Sequence, residues 1–320
     1  MNWVNNLHHD PKRALQQIDN NALHFFIERD LKCKKIGAVE NLWRLPEPSK
    51  LIKKQLSNGS WKYHGNTVNN KIGTNYYLLE TFRQLRILVD KYEFNRSHPC
   101  LQGAVEYIFS CQTTEEDIHG ILSNQYMPYY MGAILSLVIK AGYADDERTI
   151  KGLNWLLSMR QQDGAWFIPL QAYKITYLNE VALKPPIPPD RSLPSSHLAT
   201  GMVLRAFAEH EEFNLCSEVL QATRWLKSRF FKPDTYNDHK GAEYWTKFQY
   251  PFWWTDLLSS LDLLRKMGFT RDDADIQKGI RWFIENQGKN GLWKASYEKR
   301  PDMDLWVSLA VCRMLKRYLD

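Results

Sequence analysis

The chain has no run approaching the ~20 apolar residues that a bilayer-spanning helix needs. Its opening stretch, Met1 to Asp10, is polar and has no apolar core segment, so no secretory signal is expected and the cytoplasm is the expected location. Cysteine is sparse. Cys33, Cys100, Cys111, Cys216 and Cys312 are scattered, odd in number and never spaced as CxxC, so neither a disulfide framework nor a zinc ribbon follows. Strand-type alternation is nearly absent. Long charge runs are missing too: the net charge of +6 is spread along the chain, and the basic runs are short, such as Lys32-Cys33-Lys34-Lys35. No basic–aromatic alternation tracks a phosphate backbone, so nucleic acid is not an expected partner. Peripheral contact with an anionic membrane surface is compatible with the charge.

What is present is a globular composition, 44% hydrophobic and 24% charged, which argues against disorder and supports one domain over residues 1–320. The 12 Trp and 16 Tyr are unusual, and rings of that size belong in cores, in interfaces or around an apolar ligand. Internal repetition is the strongest signal. Lys151-Gly152-Leu153-Asn154-Trp155 through Asp163-Gly164-Ala165-Trp166 matches Lys278-Gly279-Ile280-Arg281-Trp282 through Asn290-Gly291-Leu292-Trp293 without a gap. The acidic turns Asp145-Asp146 and Asp272-Asp273 align with them. A third copy ends Gln55-Leu56-Ser57-Asn58-Gly59-Ser60-Trp61, and a fourth, Ala222 to Tyr236, keeps Trp225 and puts Tyr236 in place of the last Trp.

A second element alternates with this one. Asp256 to Arg265 aligns with Asp304 to Arg313, and Tyr129 to Gly142 and Ser196 to His210 share its character: apolar on most faces, with small residues between. Helices of that kind are buried on both sides, whereas those of the first set have one apolar stripe. The pattern predicts buried helices near 71–92, 126–141, 196–210, 253–267 and 302–318. It predicts amphipathic helices near 98–111, 147–159, 217–229 and 274–286, and N-terminal helices near 11–33 and 47–56 within a helical segment 1–45 and just beyond it. Gly142 and Gly268 are placed to end two buried helices. Phe167 to Ser195 breaks the pattern with six prolines; a long stiffened loop of this kind is expected over one end of the fold, as a lid.

At these residues the chain resembles a known superfamily. Gln55-x3-Gly59-x-Trp61 and Gln287-x3-Gly291-x-Trp293 match the QW motif of squalene and oxidosqualene cyclases, and Gln161-x2-Gly164-x-Trp166 is a copy one residue shorter. The resemblance covers roughly residues 45–320 and extends to the protein prenyltransferases. It implies an all-α fold, the α/α toroid: two concentric rings of helices, about five or six helical hairpins, around a central cavity. In the family the motif is structural, and Gly for a tight turn with Trp for packing gives the same reading here. The family's chemical signatures are missing. There is no Asp-x-Asp-Asp acid motif on an inner helix; Asp272-Asp273-Ala274-Asp275 lies on a turn into an outer helix and reads as an N-terminal acidic cluster. The Asp-Cys-Thr-Ala-Glu motif, the Asp-x-Cys zinc ligands of prenyltransferases and the Cys-Cys-His zinc set of LanC-type cyclases are missing as well.

The function expected from this resemblance is a terpene-cyclase-like toroid whose cavity takes an isoprenoid or other apolar ligand, with acid-initiated cyclase or transferase chemistry. The alternative is a non-catalytic toroid that binds a lipid, a peptide or a protein. Asp256 and Asp304 are the candidate acids, at equivalent positions on neighbouring inner helices, since paired carboxylates in an apolar pocket raise one pKa. An Asp in a first helical turn also simply stabilises the dipole, by ~0.3–1 kcal/mol. His197, which starts an inner helix, is the candidate base. Tyr126, Tyr129, Tyr130, Trp253, Trp254 and Trp306, with His64 in the loop after Trp61, are the candidate substrate-binding set. Their rings would either line the cavity and stabilise a cation or fill it as core. No metal or cofactor is expected, because no local ligand spacing such as HxxxH occurs. Oligomeric state is not readable from the sequence.

Overall fold

The computed structural model describes residues 3–17, 19–65, 72–172, 182–235, 239–297, 300 and 302–320. It is all-helical; among the described residues only isolated bridges, such as Gln55 with Trp61, form any extended pairing. Among the described residues, twelve α-helices alternate between two layers. The outer set is α1 (Pro11–Leu15), α3 (Pro46–Ile52), α5 (Pro99–Ser110), α7 (Glu147–Ser158), α9 (Ser217–Ser228) and α11 (Ala274–Glu285). The inner set is α2 (Asn21–Phe26), α4 (Tyr76–Leu85), α6 (Pro128–Val138), α8 (His197–Ala208), α10 (Leu257–Lys266) and α12 (Met303–Leu319). The first three inner helices continue as π-helical turns to Leu31, Lys91 and Tyr143.

The ring follows from adjacency. α4 with its extension touches α6, α6 touches α8, α8 touches α10, α10 touches α12, and α12 touches α2. Arg29 at the end of α2 closes the circle on Glu93 just past α4 with two hydrogen bonds of 2.7 and 2.6 Å. The inner helices are the ones the sequence marks as apolar all round: every residue of α6 and of α8 is buried. The outer helices bury one stripe, as Ile276, Gly279, Ile280 and Phe283 show in α11. Positive φ at Gly142 (96°) and Gly268 (83°) confirms both as turn residues at the ends of inner helices.

The repeat that the sequence announces is a connector between an outer and an inner helix. The indole N–H of Trp61, Trp166 and Trp293 donates to the carbonyl of Leu51, Leu156 and Phe283, always ten residues earlier, at 2.7–2.8 Å. The backbone N–H of the same tryptophans donates to Thr81, Thr200 and Ser308 on the following inner helix. The amides of Gln55 and Gln287 bind the carbonyls of Gly59 and Gly291 and then reach the start of the next outer helix, at Cys100 and His9. Gln287 to His9 thus joins the last repeat to the first. The tight turn needs positive φ, found at Gly59 (85°), Gly164 (90°) and Gly291 (82°).

The structure adds a connector that the motif does not reveal. Gln112 binds Glu116 and Arg148 in the same way, with Glu116 at φ 74° in the glycine position and buried Ile118 in the tryptophan position. In the fourth copy, Tyr236 lies outside the described residues; Trp245, nine residues later, donates its indole N–H to Lys232. Two helix boundaries are corrected. Residues 253–256 are not helical, because the chain is extended there and Asp256 caps α10. The N-terminal stretch 11–33 is not one helix: α1 ends at Leu15, and Asn20 starts a new helix by accepting from Ala22 and Leu23. Of the Pro-rich segment, residues 173–181 lie outside the described residues. Its latter part packs on the loop that leads into α6, with Asn124 donating to Ala182 and Gln125 accepting from Ile187.

Candidate functional site

Residues 247–255 form neither helix nor strand and cross the interior of the ring as a strap. Two buried arginines hold it from opposite sides. Arg86 of α4 donates to the carbonyls of Pro251 and Phe252, the latter at 2.8 Å, and Arg205 of α8 donates to Trp253 at 2.6 Å. The Tyr250 hydroxyl reaches the carbonyl of Asp90 at 2.7 Å, and Thr255 bonds the carbonyl of Leu198 at 2.6 Å. The strap can lie this close to α8 because of Gly201, where a Cβ would come within 2.3 Å of the Thr255 side chain. Both arginines are needed: consecutive buried carbonyls outside a helix have no backbone donor, and leaving them bare is costly.

The strap divides the interior. All inner helices run the same way, so their N-termini share one end of the ring and their C-termini the other. At the N-terminal end stands an aromatic cluster. Trp253 meets Phe82 at 5.2 Å, Tyr130 at 6.2 Å and Trp254 at 6.0 Å, and Tyr129 tilts onto Tyr130 at 4.6 Å. The Arg86 guanidinium lies 4.4 Å from the Trp253 ring centre, so one face of that indole is already occupied by a cation. Tyr63 and Tyr76 continue the cluster toward the rim.

Asp256 follows the strap and is 3% exposed. It forms a capping box: its carboxylate accepts from the Ser259 N–H at 2.7 Å, and its own N–H donates to Ser259 Oγ at 3.0 Å. Burial pushes its carboxyl up to about 7, while the Ser259 bonds and the Arg205 charge pull it down. Burial draws Arg205 itself down to about 10 against the charges of Asp90 and Asp256, and its Nε has no hydrogen-bond partner among the described residues. Burial, followed by the charge of Asp256, lifts the Tyr297 phenol well above its ordinary range.

The other residues singled out from the sequence are distributed as follows. Asp304 stands in the first turn of α12 and accepts from the Ala295 N–H at 2.8 Å, bracing the connector; no bond joins it to Asp256. His197 lies buried against Trp245, ring centres 4.3 Å apart, with Nδ1 3.5 Å from Asp234. Burial holds it below its ordinary pKa against the pull of Asp234. That carboxylate is itself a cap for α8, accepting from the N–H groups of His197 and Leu198 and from Ser196. Tyr126 bonds Glu115 and packs on Trp155 of the outer helix α7. His64 is exposed. Trp306 is buried and stacks on Tyr250, 6.2 Å away at 14°. The structure therefore brings together Tyr129, Tyr130, Trp253 and Trp254, with Asp256 next to them in the chain. It places Asp304, His197, Tyr126 and His64 in other settings.

At the opposite end the C-terminal turns surround a cavity of about 790 Å³ that the sequence reading missed entirely. Six cationic and six carboxylate side chains line it. One chain of pairs runs Asp90–Lys140–Glu209–Lys266–Asp262–Arg317, with N–O distances from 2.6 to 3.6 Å. A second joins Arg313, Asp30, Arg29 and Glu93. Against the cost of burial, Asp90 and Glu209 keep Lys140 protonated, and Lys266 and Arg317 keep the Asp262 carboxyl well below its ordinary value. A signal was available: Asp90, Lys140 and Glu209 are charges at the C-terminal ends of inner helices, and Asp262 stands between two leucines in the middle of α10.

No family profile matches the chain, and no curated protein matches its sequence. Among solved structures, a protein from Actinoplanes is 16% identical over 87% of each chain, with a TM-score of 0.45. The type II terpene cyclase MstE from Scytonema, in its apo form, is 13% identical over 87% of this chain and 97% of its own, with a TM-score of 0.36. A variant of that enzyme in complex with geranylgeranyl dihydroxybenzoate gives 13% identity, the same coverage and a TM-score of 0.39. At these identities and scores the likeness fixes neither an activity nor a site.

Proposed function

We propose that the aromatic end of the ring takes an apolar, isoprenoid-class chain and that Asp256 supplies the proton that starts its reaction. The observation that carries the reading is the position of Asp256. It is a buried carboxyl, held protonated up to about pH 7, at the N-terminus of an inner helix and three residues beyond the Trp253 ring. A carbon–carbon double bond needs an acid kept dry and protonated. The O–H bond of Asp256 breaks, its proton adds to one alkene carbon, and the other carbon becomes cationic. The carboxylate left behind keeps the Ser259 N–H and gains from the Arg205 charge. Faces of Tyr130, Trp253 and Trp254 stabilise the cation as it moves along the chain. A neighbouring carbon then gives up a proton to water and Asp256 regains one from solvent, so product and substrate are isomers and no co-reactant is consumed.

One observation favours the second reading, a toroid that binds such a chain without chemistry: the capping box already gives Asp256 a structural task. The two separate in one experiment. The protein is incubated with farnesol, geranylgeraniol and squalene, and extracts are analysed for isomers of unchanged mass and for retained ligand. Isomers from the wild type and none from Asp256→Asn, with binding kept, support the acid. Retention without isomers from the wild type leaves the binding reading, and neither retention nor isomers removes both.

A further inference from the structure

The charged cavity at the C-terminal end lies across the strap from the aromatic cluster and has no part in the chemistry above. We infer that it is a second binding site, for a small zwitterion of the amino-acid or short-peptide class, one carrying both an ammonium and a carboxylate.

The balance of charge comes first. Six cations and six carboxylates line about 790 Å³, and every one of them is paired. A ligand of a single sign would bring an uncompensated charge into a site whose own charges already cancel, which is unfavourable. A zwitterion carries its own compensation. An apolar ligand would strip water from a wall of ions and return nothing.

The second observation is incomplete satisfaction. Glu209 meets both Lys140 and Lys266 through the same oxygen, Oε1, at 3.6 and 2.6 Å. Asp90 meets Lys140 through Oδ1 at 2.8 Å. Neither Glu209 Oε2 nor Asp90 Oδ2 has a donor among the described residues, although a carboxylate accepts through both oxygens. Lys140 and Lys266 each contact two carboxylates and have three N–H bonds to give. Acceptors for an ammonium and donors for a carboxylate therefore stand side by side along one chain of pairs. The carbonyl ends of six inner helices face the same way and add negative potential that favours the ammonium half.

The closing experiment uses trialanine with free ends as the probe, titrated calorimetrically into the full-length protein at low salt. Controls are trialanine blocked at both ends, ethylamine and propionate. The free peptide should bind, with affinity falling at least tenfold for Glu209→Gln and again on raising the salt. The blocked peptide and the single-charge controls should not bind measurably. Lys266→Met is run beside Glu209→Gln, with circular dichroism to show that the folded state is kept, so that loss of fold in one variant leaves the other informative. No binding of the free peptide, equal binding of the blocked one, or indifference to both substitutions would overturn the site. Each of these outcomes can occur while the reading of Asp256 stands, because the two ends are probed with different ligands.

Discussion

The two ends of this ring are built from the same helices and solve burial in opposite ways. At the N-terminal end rings pack on rings, and the backbone carbonyls of the strap are gripped by Arg86 and Arg205. At the C-terminal end twelve charged side chains each have a partner within 4 Å, beside an open cavity. The contrast shows what separates an apolar compartment from a polar one in a single shell. Without the strap the two would merge, and the ion pairs would face the aromatic cluster directly.

The largest expected loss tests what both ends share. Trp166→Ala and Trp293→Ala should each cost about 3–5 kcal/mol in chemical denaturation, since each removes a buried ring and its bond to the outer helix. A silent change at either would mean that its connector does not hold the wall. Next comes the partition. Arg86→Met should cost about 2–4 kcal/mol, because it leaves buried carbonyls of the strap without a donor. Its effect should hardly change with salt. Asp262→Asn, at the charged end, should cost about 1–3 kcal/mol through its bonds to Lys266 and Arg317, and that cost should shrink as salt rises. Equal salt response in the two variants would erase the distinction between the ends.

The pH dependence offers a finer test. Asp256 has its folded pKa raised from 3.8 to about 7. Between those values the folded state holds a proton that the unfolded state has lost, so this group's contribution is full below about pH 4 and declines until pH 7. His197, held below its ordinary value, acts in the opposite sense: its contribution is present above the unfolded value of 6.5 and is lost as pH falls. Melting wild type and Asp256→Asn in parallel from pH 4 to 7 should show the wild type losing its relative advantage as pH rises. A difference that stays flat would mean that Asp256 is ionised throughout. The smallest effect belongs to the rim: Glu106→Gln should change stability by no more than about 1 kcal/mol, because its pair with Arg148 is 61% exposed on the carboxylate side.

The all-helical architecture and the alternation of layers were legible in the sequence because both depend on local periodicity. An apolar face every three or four residues forms a stripe whatever the chain later meets, and Gly59, Gly164 and Gly291 mark turns that their own backbone requires. Nine of the eleven helical stretches expected near given residues appear with ends shifted by a few positions. The exceptions to clean boundaries, at 253–256 and before Asn20, arise where a cap or the strap outweighs the apolar pattern. The connector at 112–118 escaped because Glu116 and Ile118 replace the glycine and tryptophan that a motif search needs, while the backbone turn persists.

The candidate site was legible in half. Tyr129, Tyr130, Trp253 and Trp254 sit within one apolar stretch or beside one inner helix, and the ring brings them into contact. Asp256 stands at the N-cap of α10 and Asp304 two positions further in, inside the first turn of α12, so one carboxylate turns to its own helix and the other to the connector before it. The sequence by itself determined the helices, their amphipathic or all-apolar faces and the repeating turns, since each depends on residues a few positions apart. Tertiary structure alone decided which polar groups meet. Asp30 finds Arg313 across 283 residues, and Arg86 finds the carbonyl of Phe252 across 166. Pairing of that kind depends on how the ring closes and carries no periodicity, so the strap, the charged cavity and the division between them emerge only once the circle is complete.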